Sequence, residues 1–134
     1  MESNPLSYQK SYKLNEQDIS LTLLRYSNAS FIVLSDTDQL GTIIEVKADQ
    51  LMIDDDNIET KICFGYSTNS EKLELAAELL YKALTKGSLK KQFMGKKFLV
   101  SFFFLKHKEI DNQFLKQLIG LFEQISQDLS LSGN

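Results

Sequence analysis

The segment Phe98-Leu-Val-Ser-Phe-Phe-Phe-Leu105 limits more than any other what this 134-residue chain can fold into. It carries no charge and is rich in aromatic and aliphatic residues, which suits a strand better than a helix. As a strand it places Phe98, Val100, Phe102 and Phe104 on one face and Leu99, Phe103 and Leu105 on the other. A strand apolar on both faces must be covered on both. At eight residues it is also far short of the roughly 20 that a transmembrane helix needs.

The remaining sequence supplies partners for this strand. Tyr8–Leu14 alternates weakly, with Tyr8, Tyr12 and Leu14 in phase. Ile19, Leu21 and Leu23 alternate with Ser20 and Thr22, Phe31–Leu34 is continuously apolar, and Ile43, Ile44 and Val46 lie within Thr42–Lys47. Asp36-Thr-Asp-Gln followed by Leu40-Gly41 reads as a hairpin connection between the last two. An acidic loop over Ala48–Asn57 precedes a fifth strand over Ile58–Tyr66.

The period then changes. Leu73, Ala76, Ala77, Leu80 and Leu84 share one helical face, with Thr68 and Glu71 as a capping box and Gly87 as the stop. Phe114, Leu118, Leu121, Phe122, Ile125 and Leu129 form a second stripe behind an Asp111 N-cap, with Ile110 placed to staple onto Leu115. Gly120 within it costs helix stability and reads as a point of close backbone approach.

This order predicts an α+β fold: a single domain over residues 1–134, with flexible ends at 1–6 and 130–134. It has a mostly antiparallel sheet of about six strands and two helices packed on one face. Two helices cover only one side of such a sheet. The other side is then partly solvated or buried by another chain, which is the sequence's main indication of a partner.

The titratable residues give little support to catalysis. A single Cys63 excludes an internal disulfide framework, and its apolar strand context reads as a buried structural thiol. His107, between Lys106 and Lys108, reads as a surface histidine. Asp54, Asp55 and Asp56 are contiguous and lack the alternation and glycine of a calcium loop. No glycine pattern cradles a phosphate, so no cofactor, metal or catalytic residue is expected. Met1–Pro5 shows no basic and apolar leader, and a lone cysteine fits a reducing compartment.

Charge is segregated rather than mixed. Between Asp36 and Glu59 stand eight acids against one lysine, and between Thr85 and Lys108 seven lysines and no acid. Opposed patches of this kind steer and orient a partner more than they strengthen its binding. Nucleic acid is not expected, because the lysine cluster holds no arginine and Phe93 is the sole aromatic within Lys86–Lys97.

In order, Phe31-Ile-Val-Leu-Ser, Leu40-Gly-Thr-Ile-Ile44 and Thr60-Lys-Ile-Cys-Phe-Gly65 opening into a helix resemble the proteasome assembly chaperone 3 family. So does Phe98–Leu105 running into Lys106-His-Lys-Glu-Ile-Asp111 and a terminal amphipathic helix. The resemblance spans roughly Pro5 to Ile125, and the basic stretch Lys86–Lys97 departs from it. It implies a non-catalytic chaperone of 20S proteasome biogenesis, and the leaderless start and lone cysteine point to a cytoplasmic or nuclear protein. Such a chain pairs with a proteasome assembly chaperone 4-like subunit and binds α-type subunits, notably α5, to promote α-ring assembly. The ending Ser132-Gly-Asn134 lacks the hydrophobic-Tyr-x tail of the first and second assembly chaperones. Candidate partner contacts are Asp54, Asp55 and Asp56, from charge, and Phe98, Val100, Phe102 and Phe104, from the two-faced strand. The alternative is a small α+β dimerisation scaffold of longin or roadblock type. Roadblock modules begin with a helix, whereas this chain begins with strands.

Overall fold

The computed structural model describes residues 6–37, 39–48, 58–65, 69–93, 95–104 and 110–131. Six strands, β1 (Leu6–Leu14), β2 (Gln17–Arg25), β3 (Ala29–Ser35), β4 (Thr42–Ala48), β5 (Ile58–Phe64) and β6 (Lys97–Phe103), form one sheet. Their order is β1-β2-β3-β6-β4-β5, and every neighbouring pair is antiparallel except β3 with β6. Three helices follow the alternating half of the sequence: α1 (Ser70–Leu84), the single turn α2 (Lys90–Phe93) and α3 (Asn112–Leu131). The expected α+β sheet is present, with one more short helix than the periodicity shows. β1 begins at Leu6, and α3 runs to Leu131.

Alternation puts one phase of every strand under the helices. Leu21 lies beside Leu34, Leu23 beside Ile32, Ile32 beside Val100, and Val100 beside Ile44 in register, and all are buried. The helical stripes close over them. Tyr81 of α1 meets Phe98 edge-on at 5.0 Å, and Phe122 of α3 stacks on Phe102 at 6.4 Å. Ser126 of α3 donates to the Ala83 carbonyl at 2.9 Å and ties the two helices together.

β3 and β4 are not a hairpin, contrary to the sequence reading, because β6 is inserted between them. Residues 36–41 must therefore pass over the end of β6, and the side chains there are fitted to that crossing; Asp38 lies outside the described residues. The Asp36 amide donates to the Phe103 carbonyl at 3.0 Å. Ser35 Oγ accepts from the Thr37 and Gln39 amides at 3.0 and 3.1 Å, and Ser101 Oγ accepts from the Gly41 amide at 2.9 Å. A Cβ on Gly41 would stand 2.3 Å from the Phe102 carbonyl oxygen, so only glycine passes so close. Thr42 next to it donates to the Gly65 carbonyl at 2.7 Å, which joins the Gly-Thr and strand-Gly junctions to each other.

The helix ends differ from one another. Asp111 caps α3 as expected, its Oδ1 accepting from the Phe114 amide at 2.8 Å. At α1 the cap position is Asn69, whose Oδ1 accepts from the Ile110 amide at 3.2 Å and so links the starts of the two long helices. Thr68 lies outside the described residues. A Cβ on Gly120 would meet nothing within 4 Å among the described residues, so this glycine serves no close approach.

Edge strand β1 is held to α3 by a polar cluster. Asp128 accepts from Lys10 Nζ at 2.8 Å and from the Tyr12 hydroxyl at 2.9 Å. The Lys10 hydrogen bond, aided by that from Tyr12, holds the Asp128 carboxyl below its ordinary value, against the opposing effect of burial. Asp128 in turn raises Lys10, while burial first and Asp128 second raise Tyr12. Asn15 and Gln117 exchange side-chain hydrogen bonds at 2.7 and 2.8 Å and fix the β1–β2 turn to the same helix.

Two stability measurements check this account. Replacing Gly120 by Ala should raise the free energy of unfolding by about 0.5–1 kcal/mol in urea titration. Asp128→Ala leaves the Tyr12 hydroxyl without its acceptor and should cost about 1–2 kcal/mol at neutral pH. A depressed carboxylate stabilises fully above its unfolded value of 3.8 and loses that contribution as pH falls through its folded value. The raised Lys10 contributes below its unfolded value of 10.5 and loses its share as pH rises through its folded value. The gap between wild type and variant should therefore narrow in acid and again in strong alkali.

Candidate functional site

The strand phase opposite the core forms the face of the sheet away from the helices. Six residues of that phase on the central strands are apolar, Leu24 on β2, Phe31 and Val33 on β3, Leu99 and Phe103 on β6, and Ile43 on β4, and they share it with Ser20, Thr22, Ser101 and Glu45. The register makes these residues neighbours. Leu24 lies beside Phe31 and Phe31 beside Leu99, while Ile43 has Ser101 on one side and Phe64 of β5 on the other. All six are only partly buried, and Phe64 is 69% exposed. A register irregularity between Ile43 and Ile44 accompanies the outward placement of Phe64 at the end of the edge strand.

Polar side chains surround this apolar centre. Glu45 stands opposite Lys61 and Lys47 opposite Glu59 along β4 and β5. Gln9, Ser11 and Lys13 line the β1 side, where a shallow groove of about 590 Å³ runs over Ser20, Thr22 and Val33 beneath Leu40, itself 59% exposed. An apolar centre with a charged and hydroxylated rim is the usual make-up of a protein–protein contact.

The residues singled out by sequence divide between the two faces and the undescribed segments. Phe98, Val100 and Phe102 lie under the helices, fully buried in this chain's own core. Phe104, just past β6, is half-buried between Phe102 at 5.8 Å and Phe114 at 5.4 Å. Their common phase was legible, but the face left open by β6 carries Leu99 and Phe103 instead. Leu24, Phe31, Val33, Ile43 and Phe64 are not among the sequence candidates. Their signal was the unbroken apolar run at Phe31–Leu34 and the doubled Ile43-Ile44, which overfill a one-sided strand.

Asp54, Asp55, Asp56 and His107 lie outside the described residues, as do Lys106 and Lys108. Cys63 is exposed, not buried as its apolar neighbours suggested. On an edge strand only the helix-facing phase is covered, so Ile62 is buried and Cys63 turns outward. No group of three metal-ligating side chains occurs among the described residues, and no described helix is long and apolar enough to cross a membrane.

No protein-family model and no curated protein matches this sequence. Among solved structures, a chain of a novel chaperone complex for yeast 20S proteasome assembly is similar over 91% of this chain and 97% of its own length. The TM-score is 0.67 at 16% sequence identity. What the two chains share is the fold.

Proposed function

We propose that this chain is a non-catalytic chaperone of 20S proteasome assembly that pairs with a structurally similar subunit through the open face of its sheet. The observation that carries the reading is that face. Large apolar side chains occupy four adjacent central strands, and the described residues of this chain cover them only in part, Leu40 over Val33 and Gly41 against Phe103. A second sheet packed at about 10 Å would bury them as the interior of a β-sandwich. Likeness of fold to a chain from a chaperone complex for proteasome assembly supports both the pairing and the process. The cytoplasm and the nucleus are the compartments that fit.

In this reading the pair binds α-type subunits, α5 among them, and promotes α-ring assembly. The acidic residues Asp54, Asp55 and Asp56 steer that encounter, which makes them a determinant of association rate and salt dependence rather than of the dimer. No cofactor is required, since the work is the covering and ordering of subunit surfaces.

Pairing is tested with Phe31→Ser combined with Leu99→Ser. Light scattering at micromolar concentration, alone and with a similar subunit, should give a dimer for wild type and a weakening of about tenfold or more for the double variant. A wild-type chain that stays monomeric under both conditions, or a variant that pairs as tightly, would overturn the reading. Replacing Asp54, Asp55 and Asp56 together by Ser should slow α5 association and flatten its dependence on salt. An unchanged affinity and salt slope would exclude that role.

A further inference from the structure

At the pole of the molecule where β2 and β4 end and β3 and β6 begin, the fold builds a lysine platform. The chain from Lys86 to Lys97 forms a turn of 3-10 helix (Gly87–Leu89), α2 and the first residue of β6. Its apolar residues are used as anchors: Leu89 and Phe93 are wholly buried, and Phe93 meets Phe98 edge-on at 6.1 Å. Because those two side chains point inward, Lys86, Lys90, Lys91 and Lys97 are left exposed, with Lys96 half-buried. Arg25, distant in sequence, joins them at the end of β2, where its guanidinium donates to the Gln92 side-chain oxygen. The ion pairs among the described residues are Lys10–Asp128, Lys13–Asp18 and Lys82–Glu78, so none of these six cations is neutralised by one.

The platform adjoins a fork in the sheet. β4 and β6 are paired only as far as Val46 beside Phe98. Beyond that point β4 stays with β5 to Ala48, while Lys97 stays with β3 and donates its amide to the Asn28 carbonyl at 3.1 Å. The strands part around a cleft of about 240 Å³ in which Lys47, Lys96 and Lys97 outnumber the one carboxylate, Glu45, with Val46, Ala48, Gly95 and Tyr81 as its other walls. This is below the roughly 300–1,000 Å³ of small-molecule sites. It is room for a side chain of a docked segment.

We propose that this pole is a docking surface for an extended acidic segment of a partner protein, with one Asp or Glu side chain seated in the fork between β4 and β6. Lysines dominate the surface, and the guanidinium of its one arginine is already engaged with Gln92, which disfavours the bidentate phosphate contacts of nucleic-acid readers. Tyr26, 45% exposed, is the one exposed aromatic at this pole among the described residues, and Phe93 is buried, so successive bases find no stacking platform. A segment bearing carboxylates needs neither feature. The surface borders the open face, since Lys97 stands two residues before Leu99 on the same strand phase and Lys47 belongs to the rim, but it uses none of the apolar side chains of the pairing proposed above.

The test uses the full chain with a fluorescein-labelled oligoglutamate peptide and a labelled oligothymidylate of equal charge, titrated by anisotropy over a salt series. Oligoglutamate should bind more tightly than oligothymidylate, with affinity falling as salt rises. The triple charge reversal K90E/K91E/K97E should weaken it about tenfold or more. K116E, on the exposed side of α3 and away from this pole, should leave it within about twofold. The four side chains are exposed, and the circular dichroism and urea midpoint of each variant, measured alongside, confirm that folded protein is compared. Equal binding by the triple variant, or equal weakening by K116E, would overturn the proposal. Tighter binding of oligothymidylate would overturn it too and assign the pole to nucleic acid.

Discussion

The insertion of β6 between β3 and β4 is the constraint on which the other features rest. It makes the most apolar strand of the chain a central one, paired on both edges and apolar on both faces. Phe98, Val100 and Phe102 nucleate the packing of all three helices from below. Leu99 and Phe103 place hydrophobic surface in the middle of the opposite face. The tight passage at Gly41, the hydroxyls of Ser35 and Ser101 that satisfy the passing loop, and the fork beyond Val46 and Phe98 are all local consequences of accommodating that strand.

How much of this was legible in the sequence follows from what periodicity encodes. It reports how often a side chain returns to one face, so both helical stripes, the Asp111 cap and the double-sided nature of Phe98–Leu105 could be read directly. It does not report which strand lies beside which. The turn residues at Asp36–Gly41 suit a hairpin equally well as a passage over an intervening strand, and only the partner of Ser101 distinguishes them. Nor does it say which of two apolar phases the helices take, and so it points to Phe98, Val100 and Phe102 as contacts where the fold leaves Leu99 and Phe103 on the open face. Cys63 is exposed despite its apolar neighbours because a run on an edge strand is covered on one phase alone.

The charged surfaces show the same division between composition and placement. A run of lysines from Lys86 to Lys97 is visible in any listing of the chain, but its order is not, since the buried anchors Leu89 and Phe93 look unremarkable amid polar neighbours. Arg25 could be added to it only by the fold. The apolar open face and the basic pole thus meet along β2 and β6, where Leu24 is followed by Arg25 and Lys97 stands two residues before Leu99, but they are supported by different contacts.

The place of β6 in the sheet also has a temporal meaning. A ribosome delivers β3 and β4 well before the strand that joins them, and until residues 97–103 emerge both present bare hydrogen-bonding edges toward a gap. Each half, β1-β2-β3 and β4-β5, can form its antiparallel hydrogen bonds early, but neither can acquire its common core. Folding of this chain is therefore gated by its last strand and last helix, and a nascent chain halted before residue 97 is two sticky ribbons rather than a smaller version of the protein.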